Sequence, residues 1–461
     1  MRVLFAVAEL APFIKVGGLA DAASGLVRAL TELDVSVEVA IPAYRDLPIE
    51  QTEALRLRVP TWAAPATASI GRLGRFGSVA VIYTSGIDRL HPYLDETGSG
   101  WPDNDRRFLG FSAAVASLAE RRAPDLVHLN DWHTGAVLGF ASRPPASVLS
   151  IHNLAYQGVA DGRWLRRLAR RPEAYEWYGQ INPISGAIAL ADRVVAVSPT
   201  YAAEITTERG GFGLHEALQA RGGRLVGILN GLDTEVWDPG RDPHLPSPFK
   251  AEEPEGKRRA RRALLERLGW QVDRLPVIGM VTRMVDQKGV DLALECVKSL
   301  PGLGARMILL GAGDPDLVEK ARRAARRLPG SFAFAEGYDE PLAHLIFGGS
   351  DLYLMPSRFE PCGLAQMQAM AYGAIPVVTD VGGLHDTVLD ADADPGGSGF
   401  VAAEPTVGAV RDALERALRA WRSTTRRADL RRRNMTRVWS WEGPAARYLD
   451  LYRQILSEAR R

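Results

Sequence analysis

The stretch from Asp351 to Leu384, DLYLMPSRFEPCGLAQMQAMAYGAIPVVTDVGGL, limits what this chain can fold into more than any other. DLYLM (351–355) reads as a buried strand, and a Pro-Ser turn leads to Arg358-Phe359-Glu360-Pro361. Cys362-Gly363 then open a helix through Met370, Tyr372-Gly373 stop it, IPVVT (375–379) is a second buried strand, and Gly382-Gly383 open another helix. Strand, loop, helix, repeated without interruption, is the doubly wound α/β pattern. Both loops follow carboxyl ends of strands, where such sheets bind ligands. Glycines at the helix starts leave N–H groups and a positive helix end facing outward, which favours phosphate. With Glu360 among those donors, an anion and a polyhydroxylated group can be held side by side, which points to a sugar nucleotide.

The same unit recurs. RVLFAVA (2–8) is a first strand, followed by ELAPFIKVGGLAD and a helix; Lys15, Gly17 and Gly18 stand at that helix mouth. PVIGMVT (276–282) leads into Arg283, then Lys288-Gly289, and the helix VDLALECVKSL; RMILL (306–310) leads into Gly311-Ala-Gly313. The chain holds 56 Lys plus Arg, of which only six are lysines (15, 250, 257, 288, 298, 320). Two of those six fall in equivalent strand-to-helix loops, where a compact ammonium reaches a phosphate oxygen that a planar guanidinium would not. Arg283 and Lys288 converge on one loop, enough positive charge for a diphosphate without a metal.

DLVHL (125–129) ends in Asn130-Asp131-Trp132-His133, and SVLSI (147–151) in His152-Asn153. A metal reading of His128, Asp131 and His133 is disfavoured, since strand alternation turns some of them apart and no further ligand is near in sequence. His152 reads equally well as a core histidine. His91-Pro92-Tyr93 is a loop with an exposed aromatic, and Tyr338, ending FAFAEGY, is a flat partner for a base. Residues 159–182 are an Arg- and aromatic-rich excursion, expected to be a mobile flap. The basic runs 257–262, 322–327 and 426–433 are expected to be solvated helix faces, and DADAD (390–394) a surface turn.

Length and composition set the remaining bounds. A chain of 461 residues favours two domains. A net charge of +1 gives no reason to expect a nucleic-acid partner. Two cysteines leave no disulfide framework and fit a reducing cytosol. No apolar run reaches membrane-spanning length. MRVLFAVAEL is interrupted by Glu9 and lacks a small-residue cleavage site, so it reads as a strand and not a leader.

With these residues in view, the chain resembles bacterial glycogen synthases and plant starch synthases over essentially its full length. The matching stretches include KVGGLAD (15–21), WPDNDRRF (101–108), HLNDWHTG (128–135), IHNLAYQG (151–158), YGQIN (178–182), GILNGLDTEVWDP (227–239), RMVDQKGVDL (283–292), GAGDP (311–315), SRFEPCGL (357–364) and GGLHDTV (382–388). The resemblance implies the α/β GT-B glycosyltransferase fold, two Rossmann-like domains facing a central cleft. The expected division is an acceptor-side domain 1–240, a linker 241–256, a nucleotide-sugar domain 257–437 and a C-terminal helix 438–461 returning to the first domain.

It implies transfer of glucose from ADP-glucose to the non-reducing 4-OH of an α-1,4-glucan, with retention at the anomeric carbon and no metal or other cofactor, in the cytoplasm. Carried over by position, Arg283, Lys288, Glu360 and His152 are the catalytic set. Lys15, Gly17, Gly18, Asp21, Gly311, Tyr338, Cys362, Gly363, Leu364, Gly382 and Gly383 face the donor. Tyr93, Asp131, Asn153 and Asn230 line the acceptor side. No residue reads as a covalent nucleophile, so front-face substitution is expected. The chain departs from the family pattern at Val16, Val381, Gln368 and Met284-Val285-Asp286, which leaves UDP-glucose as an alternative donor.

Overall fold

A computed structural model describes residues 1–143, 145–253 and 255–459. The chain divides into two units, Met1–Gly231 with Trp441–Arg461, and Leu232–Ser440. The division falls ahead of the proline-rich stretch and not within it. The expected linker 241–256 belongs to the second unit. Asp242 is buried there, accepting from the Tyr372 hydroxyl at 2.6 Å and pairing with His344 Nδ1 at 2.7 Å. Leu245 and Phe249 are buried as well.

In the second unit six strands, all parallel, lie in the order Phe332–Glu336, Arg306–Gly311, Val277–Val281, Leu352–Met355, Ile375–Thr379, Phe400–Ala402. Numbered along the unit this is 3-2-1-4-5-6, the Rossmann order, whose connections reverse direction between strands 1 and 4. The apolar runs read from the sequence form its core: Ile278, Leu309, Leu354 and Val377 are buried together. β-branched and long aliphatic side chains covered on both faces leave no reason for alternation.

The first unit's large sheet runs Leu225–Gly227, Arg193–Ala196, Ala146–Ile151, Leu126–Asn130, Arg2–Ala6, Ser36–Pro42, Ser78–Thr84, Ala66–Arg72, Glu50–Arg56. Pairing is parallel up to Ser78–Thr84 and antiparallel across the last two strands. Its reversal point lies between Arg2–Ala6 and Leu126–Asn130. The C-terminal helix Glu442–Glu458 packs on this unit: Tyr452 Oη is 2.6 Å from His128 Nδ1, and Tyr448 Oη 3.1 Å from Ser150 Oγ.

Several expectations change. Residues 159–182 are built into the first unit and are not a loose flap. Trp164, Tyr175 and Ile181 are buried against Leu109 and Ala136, and the Tyr175 hydroxyl donates to the Gly135 carbonyl at 3.1 Å. The run 257–262 is not wholly solvated: Lys257 is 3% exposed and donates to the carbonyls of Gly348, Ser350 and Tyr372 at 3.0, 2.9 and 2.7 Å. The DADAD segment is a surface turn as expected, with Asp390 and Asp392 bound by Arg416, and Asp392 by Arg426 as well. The helix after Glu360 begins at Ala365, past a left-handed turn at Gly363 (φ +70°).

Candidate functional site

In the second unit the loops following strands 1 and 4 meet at the reversal point. Lys288 Nζ lies 2.6 Å from Glu360 Oε2, and Ser357 Oγ donates to the same oxygen at 3.1 Å. Glu360 is 4% exposed. A carboxylate that deep needs a partner, and the ammonium supplies it. Gly289 makes the approach feasible: its φ is +60°, and a Cβ there would fall 1.9 Å from the Pro356 carbonyl.

Arg358 locks the two loops together. It donates to both carboxylate oxygens of Asp291 at 2.8 and 2.6 Å and to the Asp286 carbonyl at 2.8 Å, while its own N–H donates to the Gln287 carbonyl at 2.8 Å. The hydrogen-bonded guanidinium holds Asp291 below the usual carboxylate range. Arg283 is exposed on the same loop.

The remaining second-unit residues assigned to the donor stand at or after the carboxyl ends of strands in the same sheet. Gly311 ends strand Arg306–Gly311, with the Thr282 carbonyl 2.1 Å from where its Cβ would be, so only glycine fits that crossing. Tyr338 is 72% exposed. Cys362 is buried and Leu364 half-buried, on either side of Gly363. Gly382 opens helix Gly382–Thr387 at φ +43°. The Gly383 amide is occupied, donating to the Glu360 carbonyl at 2.9 Å. Gly383 serves close packing, since a Cβ would meet the Cys362 carbonyl at 1.9 Å.

The first unit gathers its own set at its reversal point. Lys15 Nζ pairs with Asp21 at 2.9 Å. The Gly17 amide, expected to face phosphate, donates instead to Glu9 Oε2 at 3.0 Å, beside the Val16 amide at 2.7 Å; Gly18 is exposed at the helix start. Glu9 Oε1 accepts from the Tyr93 hydroxyl at 2.7 Å. Tyr93 is therefore half-buried and anchored, where an exposed aromatic was expected. Burial raises the Glu9 carboxyl above its ordinary range, against the three donors it receives.

Asp131 follows strand Leu126–Asn130 at φ +54°. Its Oδ1 accepts the His152 amide at 2.7 Å and the Asn153 amide at 3.4 Å, and burial pushes its carboxyl up to about 7. His152 Nε2 is 2.9 Å from Asn130 Oδ1. Burial lowers His152 to about 4, so the ring is neutral at neutral pH. Asn153 Oδ1 accepts from the Ala155 amide at 3.1 Å, and Asn230 is buried. His128 spends both ring nitrogens on Tyr452 and Ser150. Among the described residues no cluster of three or more His, Cys, Asp or Glu is placed to hold a metal.

Sequence reasoning missed Glu9, Ser357 and the Arg358–Asp291 bracket. Glu9 lies one strand-end away from the quoted KVGGLAD and gains meaning only through Tyr93, far along the chain. Ser357 sits within the quoted loop but carries no signal of its own. The bracket joins loops 67 residues apart.

Comparisons with known proteins cover the same ground. A model of the starch synthase catalytic domain matches residues 2–220, and a model of glycosyl transferases group 1 matches 269–435. The chain is 43% identical to a glycogen synthase of Halorhodospira halophila, over 99% of each chain, and 41% identical to one of Alkalilimnicola ehrlichii, over 98% of each. Among solved structures, the catalytic domain of starch synthase IV from Arabidopsis thaliana, bound to ADP and acarbose, superposes with a TM-score of 0.90 at 32% identity, covering 99% of both chains. A sucrose-phosphate synthase from Thermosynechococcus elongatus shares the fold alone, with a TM-score of 0.64 at 17% identity over 99% of both chains.

Proposed function

The chain belongs to the family of bacterial glycogen synthases and plant starch synthases, GT-B enzymes that elongate α-glucans, and from that premise we propose ADP-glucose as its donor and no metal as its helper. The observation that carries the reading is the Lys288–Glu360 pair at the Rossmann reversal point of the second unit. A sugar diphosphate bound there gives Lys288 a new anionic partner and frees Glu360 to accept from glucose hydroxyls. Arg283 and Lys288 then oppose the charge that grows on the diphosphate as the glycosidic bond breaks, fixed cations doing the work of a bound divalent ion. Ser357 orients the Glu360 carboxylate, and Arg358 holds Lys288's loop in register through Asp291.

On the acceptor side, Asp131 holds His152 and Asn153 by their amides, and neutral His152 offers the sugar a hydrogen bond without a competing charge. With the donor bound, Glu360 accepts from glucose hydroxyls and is not placed as the nucleophile, so the reading adopts front-face substitution: the departing phosphate takes the proton of the incoming 4-OH, and retention follows. Trapping a covalent glycosyl-enzyme with a slow donor analogue would contradict this step.

Initial rates with ADP-glucose and UDP-glucose in competition, with glycogen as acceptor, chelator present and products sized, test the reading. Elongation by single glucose units with ADP-glucose preferred and no loss in chelator is the expected result. Preference for UDP-glucose overturns the donor assignment. Binding of glycogen with no transfer from either donor would make the chain a silent glucan-binding relative. No helix among the described residues is long and apolar enough to cross a membrane. From its family membership we assign the reaction to the cytoplasm.

A further inference from the structure

The Arg-rich segment that the reaction does not use builds a second site in the first unit. The turn Gly162–Arg167 and the start of helix Asn104–Arg122 enclose a surface groove of about 760 Å³, within the range of small-molecule sites. Its base is the pair Trp62 and Trp164, edge to face with ring centroids 4.7 Å apart. Trp164 is clamped from below, its Nε1 donating to Asp105 Oδ2 at 2.8 Å.

Charge on the rim is out of balance. Asp103 is paired with Arg89 at 3.3 Å, and Asp105 lies 4.0 Å from Arg163. Both carboxylates are thereby committed. Among the described residues the Arg106 guanidinium donates only to a carbonyl, that of Trp62, at 3.2 and 3.0 Å. Arg166 and Arg167 make no ion pair and no side-chain hydrogen bond among the described residues. Three guanidiniums therefore share one groove with neither of its carboxylates, Asp103 and Asp105, paired to them. Like charges so placed repel unless an anion joins them, and a guanidinium fork matches phosphate oxygens two at a time. A neutral glucan has no use for that excess, and a net charge of +1 on the chain offers a polynucleotide no extended track.

We propose that this groove binds a small phosphorylated sugar, its phosphates on Arg106, Arg166 and Arg167 and its ring against half-buried Trp62, which Trp164 backs from beneath. The site is built from first-unit residues alone and does not depend on which donor the enzyme uses. Calorimetric titration of the full chain with glucose 1,6-bisphosphate tests it. Saturable binding is expected, weakened about tenfold or more in Arg166→Ala/Arg167→Ala, as loss of charge-assisted hydrogen bonds requires, and retained in Lys288→Ala. Both arginines are exposed, so the double variant should keep the parent's thermal midpoint. No saturable binding, or binding lost in Lys288→Ala and kept in the arginine variant, overturns the proposal. So does a double variant that loses affinity for maltohexaose and not for the bisphosphate. Inorganic phosphate binding as tightly as the bisphosphate would remove the tryptophans from the site.

Discussion

Lys288 and Glu360 make a buried pair whose usefulness lies in being exchangeable: the ammonium can turn from a carboxylate to a phosphate without leaving its loop. Lys288→Ala should lower turnover by ~100-fold or more, the usual cost of one preorganised charge. Lys288→Arg should not restore it, because the planar fork does not occupy the same volume. Near-normal steady-state rates in the alanine variant would take Lys288 out of the mechanism. Asp131 gives a different kind of prediction. Its carboxyl titrates near 7 in the folded chain against an ordinary value of 3.8. A folded pKa above the unfolded one favours the folded state fully below about pH 4, and that contribution is lost as pH rises through about 7. Asparagine keeps the acceptor oxygen for the His152 and Asn153 amides and never ionises. Asp131→Asn should therefore raise the thermal midpoint at about pH 8.5 by a few degrees and leave it nearly unchanged at about pH 4. An equal shift at both values would mean that Asp131 is not buried as a neutral acid at low pH. The same variant should be slower, since stability and activity pull apart at such a position.

Among the elements, helix Glu255–Arg267 packs through Ala260, Leu264 and Leu265 and is also anchored by one side chain that its sequence disguises. Lys257 lies in a run reading KRRARR, which looks solvated, yet its ammonium caps the carbonyl ends of two helices at once, Gly348 and Ser350 from one and Tyr372 from the other. Burial lowers its pKa well below the ordinary range. Lys257→Met fills the volume but leaves three carbonyls without a donor, so the second unit should lose about 3 kcal/mol or more. A urea midpoint within error of the parent would show that water replaces the amine. The contrast with strand Ile375–Thr379 explains what was legible from sequence. That strand is a continuous apolar run between turn residues, and its local pattern is sufficient to define it. The same holds for the glycines at 289 and 363, whose loops demand them. Lys257, Glu9 and Arg358 could not be read, because each acquires its role from partners dozens of residues distant that only the folded sheet order brings near. The segment 159–182 misled for a related reason: its arginines dominate the composition, while Trp164, Tyr175 and Ile181, which bury it, are spaced without helical or strand period.

At the scale of the whole molecule, the chain leaves the first unit once and returns to it once, and the two crossings are neighbours. Leu232 and Ser440 form a parallel bridge, and the Leu232 amide donates to the Trp439 carbonyl at 2.6 Å. Bridged strands lie about 4.8 Å apart, so Gly231 could be joined to Trp441 by a few glycines. The returning helix is not an appendage. Tyr448, Leu451, Tyr452 and Ile455 are all buried, and Trp441 packs over Gly25 where any Cβ would collide with it. Four such side chains at about 2 kcal/mol each rival the entire stability of an ordinary domain. Removing the helix also leaves His128, fully buried, without the Tyr452 hydroxyl. Three shortened chains separate these contributions: Leu232–Ser440 alone, 1–231 alone, and 1–231 fused through a short linker to 441–461. The first and third should each unfold cooperatively in urea, and the second should not. If 1–231 melts like the fused form, the helix is dispensable to the first unit, and its retention at the end of the chain would need another cause.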